Sequence, residues 1–279
     1  MTSTIELRVA EEFAHLLFDS GEGRRLGGSV RVVQLDSDDP RLGEVKKLQE
    51  EIQRQEGRSF FYGWQIRRHY TTRELDSAAL FLTDVTSWFE PAGEECGTTY
   101  DESSACSLCG AGAQRSGPLM LKGSSLPKSK DFAMSIGREL IVSDRAREVF
   151  QRHGFGGVSF EPVYTRSTRS GEGWNAVNVA SPLLQVVSPT VAGNNPIDLD
   201  PEGKGRCPNG HLLGLNLLSE VTVRRPLTDV DITFTAEFVG TRRGLVRPER
   251  LLLVSQRVRQ IVQEERLRGW NFEVAHYAE

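Results

Sequence analysis

The chain has 279 residues, 38% hydrophobic and 26% charged, and its 34 basic and 38 acidic side chains leave a net charge of −4. That balance supplies no field to attract a polyanion, so nucleic acid is not an expected partner, and no apolar run is long enough to span a membrane. The length suits one large domain or two smaller ones with a substantial core, and the lack of a recognisable leader makes the cytoplasm the expected compartment.

From the N-terminus, Ile5–Leu17 alternates poorly and reads as strand or helix. Ser29–Leu35 (SVRVVQL) is β-branched and alternating, which predicts a strand. Arg41–Gln55 places Leu42, Val45, Leu48 and Ile52 on one helical face. Ser59–Tyr70 is aromatic and β-prone. Its Tyr62, Trp64 and Tyr70, beside Arg67 and Arg68, suit either an aromatic core face or a base-stacking platform. Thr71-Thr-Arg-Glu74 is a capping box that predicts a helix running through Leu82.

Three of the four cysteines then crowd into GEECGTTYDESSACSLCGAG, residues 93–112, which holds a C-x-x-C-G turn at Cys106–Gly110. Such a turn aims two sulfurs at one ion, and four thiols are what a closed tetrahedral zinc site needs. The candidate ligands of a structural Zn2+ are therefore Cys96, Cys106, Cys109 and Cys207, with His211 as the alternative fourth ligand. Cys207 and His211 lie four residues apart in GRCPNGHLLG, and that spacing allows both to face one ion. An ordinary loop histidine, inert thiols, a disulfide framework and a redox pair are the competing readings. The last two are disfavoured by chain length and by the loop setting. Glu94, Glu95, Asp101 and Glu102 flank the cysteines and argue against nucleic acid there.

An internal repeat follows. LIVSDRAREVFQRHGFGGVSFEPV from Leu140 aligns without gaps to LLVSQRVRQIVQEERLRGWNFEVA from Leu252, an offset of 112 residues. Each copy reads as strand, helix, strand, with Ser143 or Ser255 capping the helix. Gly154 is placed to end the first helix, whereas the second continues through Glu264 and Glu265. Arg145, Arg147, Arg257 and Arg259 fall on the polar sides. Val142, Val149, Phe150, Phe160, Leu253, Val254, Ile261, Val262 and Phe272 are the expected core. Asp131 and Asp231 each introduce an extended segment ahead of a copy.

The expected fold class is α+β: two related lobes of repeated strand–helix–strand units with a zinc-knuckle loop. The division is 1–90 (N-terminal α/β region), 91–127 (cysteine loop), 128–191 (first lobe) and 192–279 (second lobe). Long loops are expected at the cysteines through Ser129, at Thr165–Gly173 and at Ala192–Asn209.

No nucleophile elbow, zincin helix, phosphate-binding loop or dinucleotide fingerprint is present. Asp198, Asp200 and Glu202 read as a solvated acidic loop. The order CSLCG, LPKSKDF, LIVSDRAREVF, GFGGVSFEPV and then RPERLLLVSQRVRQIVQEERLRGWNFEVA resembles the double-C-x-x-C-G proteins that occur as paralogues in myxobacteria. The likeness runs from about residue 60 onward, and this chain keeps one complete C-x-x-C-G motif and half of a second at Cys96-Gly97. The resemblance implies an immunity protein: non-catalytic, with a protein partner, its cognate bacterial toxin. Two other classes are a zinc-ribbon scaffold or accessory subunit of a larger assembly, and an enzyme whose site is assembled from the long loops, for example His211 with Asp198 or Glu220.

Overall fold

The structure, a computed structural model, describes residues 1–165 and 173–278. The chain is a mixed α+β protein with two compact units. Residues 1–76 and 193–202 form the first, and residues 77–192 and 203–279 the second.

The first unit is an antiparallel four-stranded sheet in the order Arg24–Leu26, Val30–Asp36, Thr2–Ala10, Phe61–His69. Ile5, Leu7 and Val9 alternate inward along the Thr2–Ala10 strand and pack with Val33, Leu35 and Phe60. The Arg41–Glu56 helix adds Val45 and Ile52 to that core and ends at Gly57, whose φ of 67° closes the last turn. The ambiguous N-terminal segment is strand to Ala10 and then one short helix, Glu11–Ala14. Trp64 packs against the core while Tyr62 is exposed. Asp198 and Asn195 bond to each other's backbone in a tight turn, and Asp200 is buried.

The capping box forms as expected: the Thr71 amide donates to Glu74 Oε2 at 2.8 Å and the Glu74 amide to Thr71 Oγ1 at 3.2 Å. The helix, however, ends at Ser77 rather than Leu82. Leu80–Val85 is instead a strand with neighbours on both sides, and pairing on two edges outweighs the weak helical preference of a short apolar run.

Two sheets build the second unit. One has five strands, in the order Val158–Pro162, Trp174–Val179, Leu140–Ser143, Phe132–Ser135, Trp88–Phe89. The other has six: Leu212–Gly214, Ile232–Val239, Glu249–Ser255, Leu80–Val85, Trp270–Tyr277, Val221–Val223. Phe132 stacks on Trp270 with ring centroids 3.7 Å apart.

The two strand–helix–strand segments carry matching hydrogen bonds. Phe132 registers with Val142, and Ile232 with Val254. Ser143 Oγ donates to Asp131 at 2.9 Å and accepts from the Ala146 amide at 3.1 Å. Ser255 Oγ donates to Asp231 at 2.7 Å and accepts from the Val258 amide at 3.3 Å. Arg145 binds the second oxygen of Asp131, as Arg257 binds that of Asp231. Each serine thus satisfies a free helix amide while its own proton goes to an aspartate, which fixes the strand-to-helix turn.

Both helices, Asp144–Arg152 and Gln256–Glu264, are nine residues long. The second stops earlier than its sequence suggests because Arg266 adopts a φ of 52°, matching Gly154 at 64°. Only glycine takes that conformation freely, so the stop was invisible. Arg259 is buried, with its guanidinium over Phe81, and does not lie on a polar face. Of the expected core, Val142, Val149, Phe150, Leu253, Val254 and Val262 are buried, and Phe160, Ile261 and Phe272 are half-buried. The expected loop at Thr165–Gly173 lies almost wholly outside the described residues. The cysteine region is not loop throughout: Tyr100–Asp101 pairs with Gln114–Arg115, so the C-x-x-C turn sits at the tip of a hairpin.

Candidate metal centre

Residues 102–113, at the hairpin tip, bring Cys106 and Cys109 together. The Gly110 amide bonds the Cys106 carbonyl at 2.7 Å, and the Cys106 amide bonds the Ala111 carbonyl at 2.8 Å. Gly110 has a φ of 72°, and the Arg242 side chain lies against the space its Cβ would take, 2.9 Å away. The turn needs glycine both for its backbone and for this close packing. A second turn, Cys207–His211, is closed by the Gly210 amide on the Cys207 carbonyl at 2.8 Å, with Gly210 at a φ of 75°.

The two turns meet. One ligating atom from each of Cys106, Cys109, Cys207 and His211 lies within 4.8 Å of the others. Cys106 Sγ is 3.8 Å from Cys207 Sγ, and His211 Nδ1 is 3.8 Å from Cys207 Sγ and 3.9 Å from Cys109 Sγ. A tetrahedral ion with metal–sulfur bonds of ~2.3 Å and metal–nitrogen bonds of ~2.1 Å would hold its sulfurs about 3.8 Å apart and sulfur and nitrogen about 3.6 Å apart, so these edges have roughly the size of a coordination tetrahedron. Such an arrangement suits one metal ion held by four protein atoms. Cys207 and His211 are therefore both in the cluster. Cys96 is not: it is buried at the end of the Gly93–Cys96 helix, and none of the four cysteines is in a disulfide.

The electrostatics of the thiols match that geometry. The amides of Cys109 and Leu108 point at Cys106 Sγ and, with the Asn209 amide 3.6 Å away, bring its thiol down to about 6. Burial, then the neighbouring Cys207 and Cys106 sulfurs, push the Cys109 thiol up to about 11. Several thiols this close cannot all ionise unaided. A bound dication is what removes that penalty.

Around the knuckle the acidic residues are internally engaged. Arg247 donates to Glu94 at 2.8 Å and to Glu102 at 2.9 Å, and Arg242 donates to Glu102 as well. These arginines bring the Glu102 carboxyl down to about 2. Glu95 accepts from the Ala92 amide at 2.8 Å. Buried Glu139 accepts from the Gly93 amide at 3.1 Å and the Tyr100 hydroxyl at 2.8 Å, and burial raises its carboxyl above the usual range. The hairpin base is thus tied to the unit by charged hydrogen bonds, and its tip lies against the Cys207–His211 turn.

The carboxylates considered for a loop-built catalytic site have partners of their own. Glu220 pairs with His276 at 2.8 Å, and Asp198 accepts from Asn194 at 2.8 Å within the first unit. Among the described residues, no helix is long and apolar enough to cross a membrane. Comparison of the chain with protein-family models and with curated proteins gives no match in either.

Proposed function

We propose that this chain is a zinc-stabilised, non-catalytic binding protein, an immunity protein that neutralises a cognate bacterial toxin in the cytoplasm. The observation that carries the non-catalytic reading is the closed donor set. Cys106, Cys109, Cys207 and His211 fill a tetrahedron with protein atoms, and a catalytic zinc keeps one position for water or substrate. Three sulfurs and one imidazole favour zinc over hard cations, which take oxygen. Thiol ligands of this kind need a reducing compartment, which supports the cytoplasm.

The two strand–helix–strand segments are read as copies of one duplicated unit, supported by the matching Asp131–Ser143–Arg145 and Asp231–Ser255–Arg257 bonds. The cysteine loop contributes Cys106 and Cys109 and the second lobe Cys207 and His211, so the ion would clasp the loop to that lobe. The toxin reading rests on the resemblance to the double-C-x-x-C-G proteins.

Two measurements test this. Elemental analysis of protein purified without added metal should find about one zinc per chain, lost in Cys207→Ser and in His211→Ala. Co-expression of the chain with the product of the adjacent gene should restore growth that the adjacent gene alone arrests. A wild-type protein without metal sinks the zinc reading, and no protection from any neighbouring product sinks the immunity reading.

A further inference from the structure

The six-stranded sheet is forked. Leu80–Val85 registers with Glu249–Ser255 only from Leu80 to Leu82, where Leu82 meets Leu253. Beyond that point Leu80–Val85 stays with Trp270–Tyr277 as far as Val85, while Glu249 and Arg250 pair with Val239 and Phe238 on the other side. A cleft of about 490 Å³ opens at the fork. One prong carries Asp84 and the other Glu249; Trp88 and the Gly112–Gln114 segment, just past the cysteine turn, line the same space.

Its chemistry is specific. Asp84 makes no side-chain hydrogen bond or ion pair among the described residues. It opens to solvent, yet the cleft walls hem it in, and that desolvation raises its carboxyl above the usual range. Burial does the same to Glu249. Trp88, large and apolar, is 45% exposed there. Two of the arginines that line the cleft are engaged elsewhere: Arg247 is nine-tenths buried and donates to Glu94 and Glu102, and Arg250 lies over the Phe238 ring. A desolvated carboxylate pair beside an exposed indole is a receptor for a flat cation.

The chain already places one such cation in the cleft. Arg138 lies with its guanidinium 4.7 Å over the Trp88 ring and 2.8 Å from Glu249 Oε1. It sits at the tip of the Ser135–Glu139 hairpin turn with a φ of 70°, at a position where such a turn prefers glycine. A side chain kept at a strained position is an observation pointing to use.

We propose that the fork cleft binds an arginine side chain presented by an extended segment of a protein partner, its guanidinium engaging Asp84, Glu249 and the Trp88 ring, and that Arg138 is the internal ligand it displaces. This deepens the binding-protein reading and rests on it only for the origin of the guanidinium; the cleft is tested whether or not the cysteine cluster holds metal.

The experiment is a titration of the full-length protein, labelled with 15N at the indoles of its four tryptophans, with an acetylated and amidated Ala-Arg-Ala peptide. The same peptide carrying citrulline, and free arginine, serve as the other arms. Trp88→Phe identifies the Trp88 signal. The arginine peptide should shift that signal saturably, at least tenfold tighter than the citrulline peptide and tighter than free arginine. Asp84→Asn should weaken binding at least tenfold with the Trp174 and Trp270 signals unmoved. Arg138→Ala should tighten it several-fold, an outcome that a merely structural Arg138–Glu249 pair does not produce. No shift, equal binding of citrulline, or an unchanged affinity in Arg138→Ala overturns the cleft proposal. Free arginine binding more tightly than the peptide overturns the protein source alone, and the growth assay then decides the immunity reading separately.

Discussion

Arg145 donates to the backbone carbonyl of Glu265, and Arg257, its counterpart 112 residues on, donates to the carbonyl of His153. Each arginine caps the end of the other segment's helix, so the contact is reciprocal in the manner of an interface between identical subunits. Cations at helix C-termini also complement the dipole.

Because Arg145 and Arg257 are about half-exposed, replacing either with alanine should cost only about 0.5–1.5 kcal/mol. Asp131 lies deeper. It is buried and accepts from Ser143, Arg145 and the Arg268 amide, so Asp131→Ala strands several donors and should cost roughly 2–3 kcal/mol. Denaturant unfolding of the three variants checks the order. Asp131→Ala losing no more than Arg145→Ala would contradict the account.

Gly269 predicts a sharper loss. A Cβ there would stand 2.3 Å from the Phe132 carbonyl oxygen, and its φ is 115°. Clash and backbone strain should combine to roughly 2–4 kcal/mol for Gly269→Ala, read from the shift in the denaturation midpoint. Gly21→Ala, with nothing within 4 Å of the added atom, is the control and should change little.

Much of this was legible in the sequence. Alternating β-branched residues marked Val30–Asp36, helical spacing marked Arg41–Glu56, and the serine caps marked both repeated helices. The Cys/His cluster was partly legible. Cys106, Cys109 and Cys207 were identified and His211 was held as an alternative, but Cys96 drew attention only because it is close in sequence. What decides membership is that the Cys207–His211 turn folds back onto the hairpin tip, a long-range event that local spacing cannot encode. Leu80–Val85 and Arg259 were misread for a related reason, since their environments are set by strands and rings distant in sequence. The fork cleft left no motif, because Asp84, Trp88, Arg138 and Glu249 converge only through sheet pairing.

Metal retention separates the two groups of cysteines. Cys106→Ser and Cys109→Ser should each lose the ion and lower the melting temperature. Cys96→Ser should keep the full metal content, although loss of a buried side chain should still lower stability by about 1 kcal/mol. Elemental analysis of the three proteins beside the wild type tests this, and metal loss in Cys96→Ser would count against the ligand set.

Glu139 gives a pH prediction with a definite sign. Its carboxyl is raised in the folded chain by burial, so the folded state holds its proton more tightly than the unfolded state does. The associated stability is present below the unfolded value and is lost as pH rises through the folded one. Glu139→Gln keeps an acceptor for Tyr100 and Gly93 and removes that titration. The melting temperature of the variant relative to wild type should therefore climb between pH 4 and pH 7. A constant or falling difference would show that Glu139 does not carry the linkage.

Leu80–Val85 sits between strands that are made much later: Thr83 meets Leu252 across 169 residues of chain, and Trp270–Tyr277 lies on its other edge. On the ribosome this strand waits, its apolar side chains uncovered, until the roughly 190 residues up to its later partner have been translated. Synthesis thus exposes an aggregation-prone edge for ~10–40 s at ordinary elongation rates. The protein's yield in a cell should depend on what shields that one strand while the ribosome finishes.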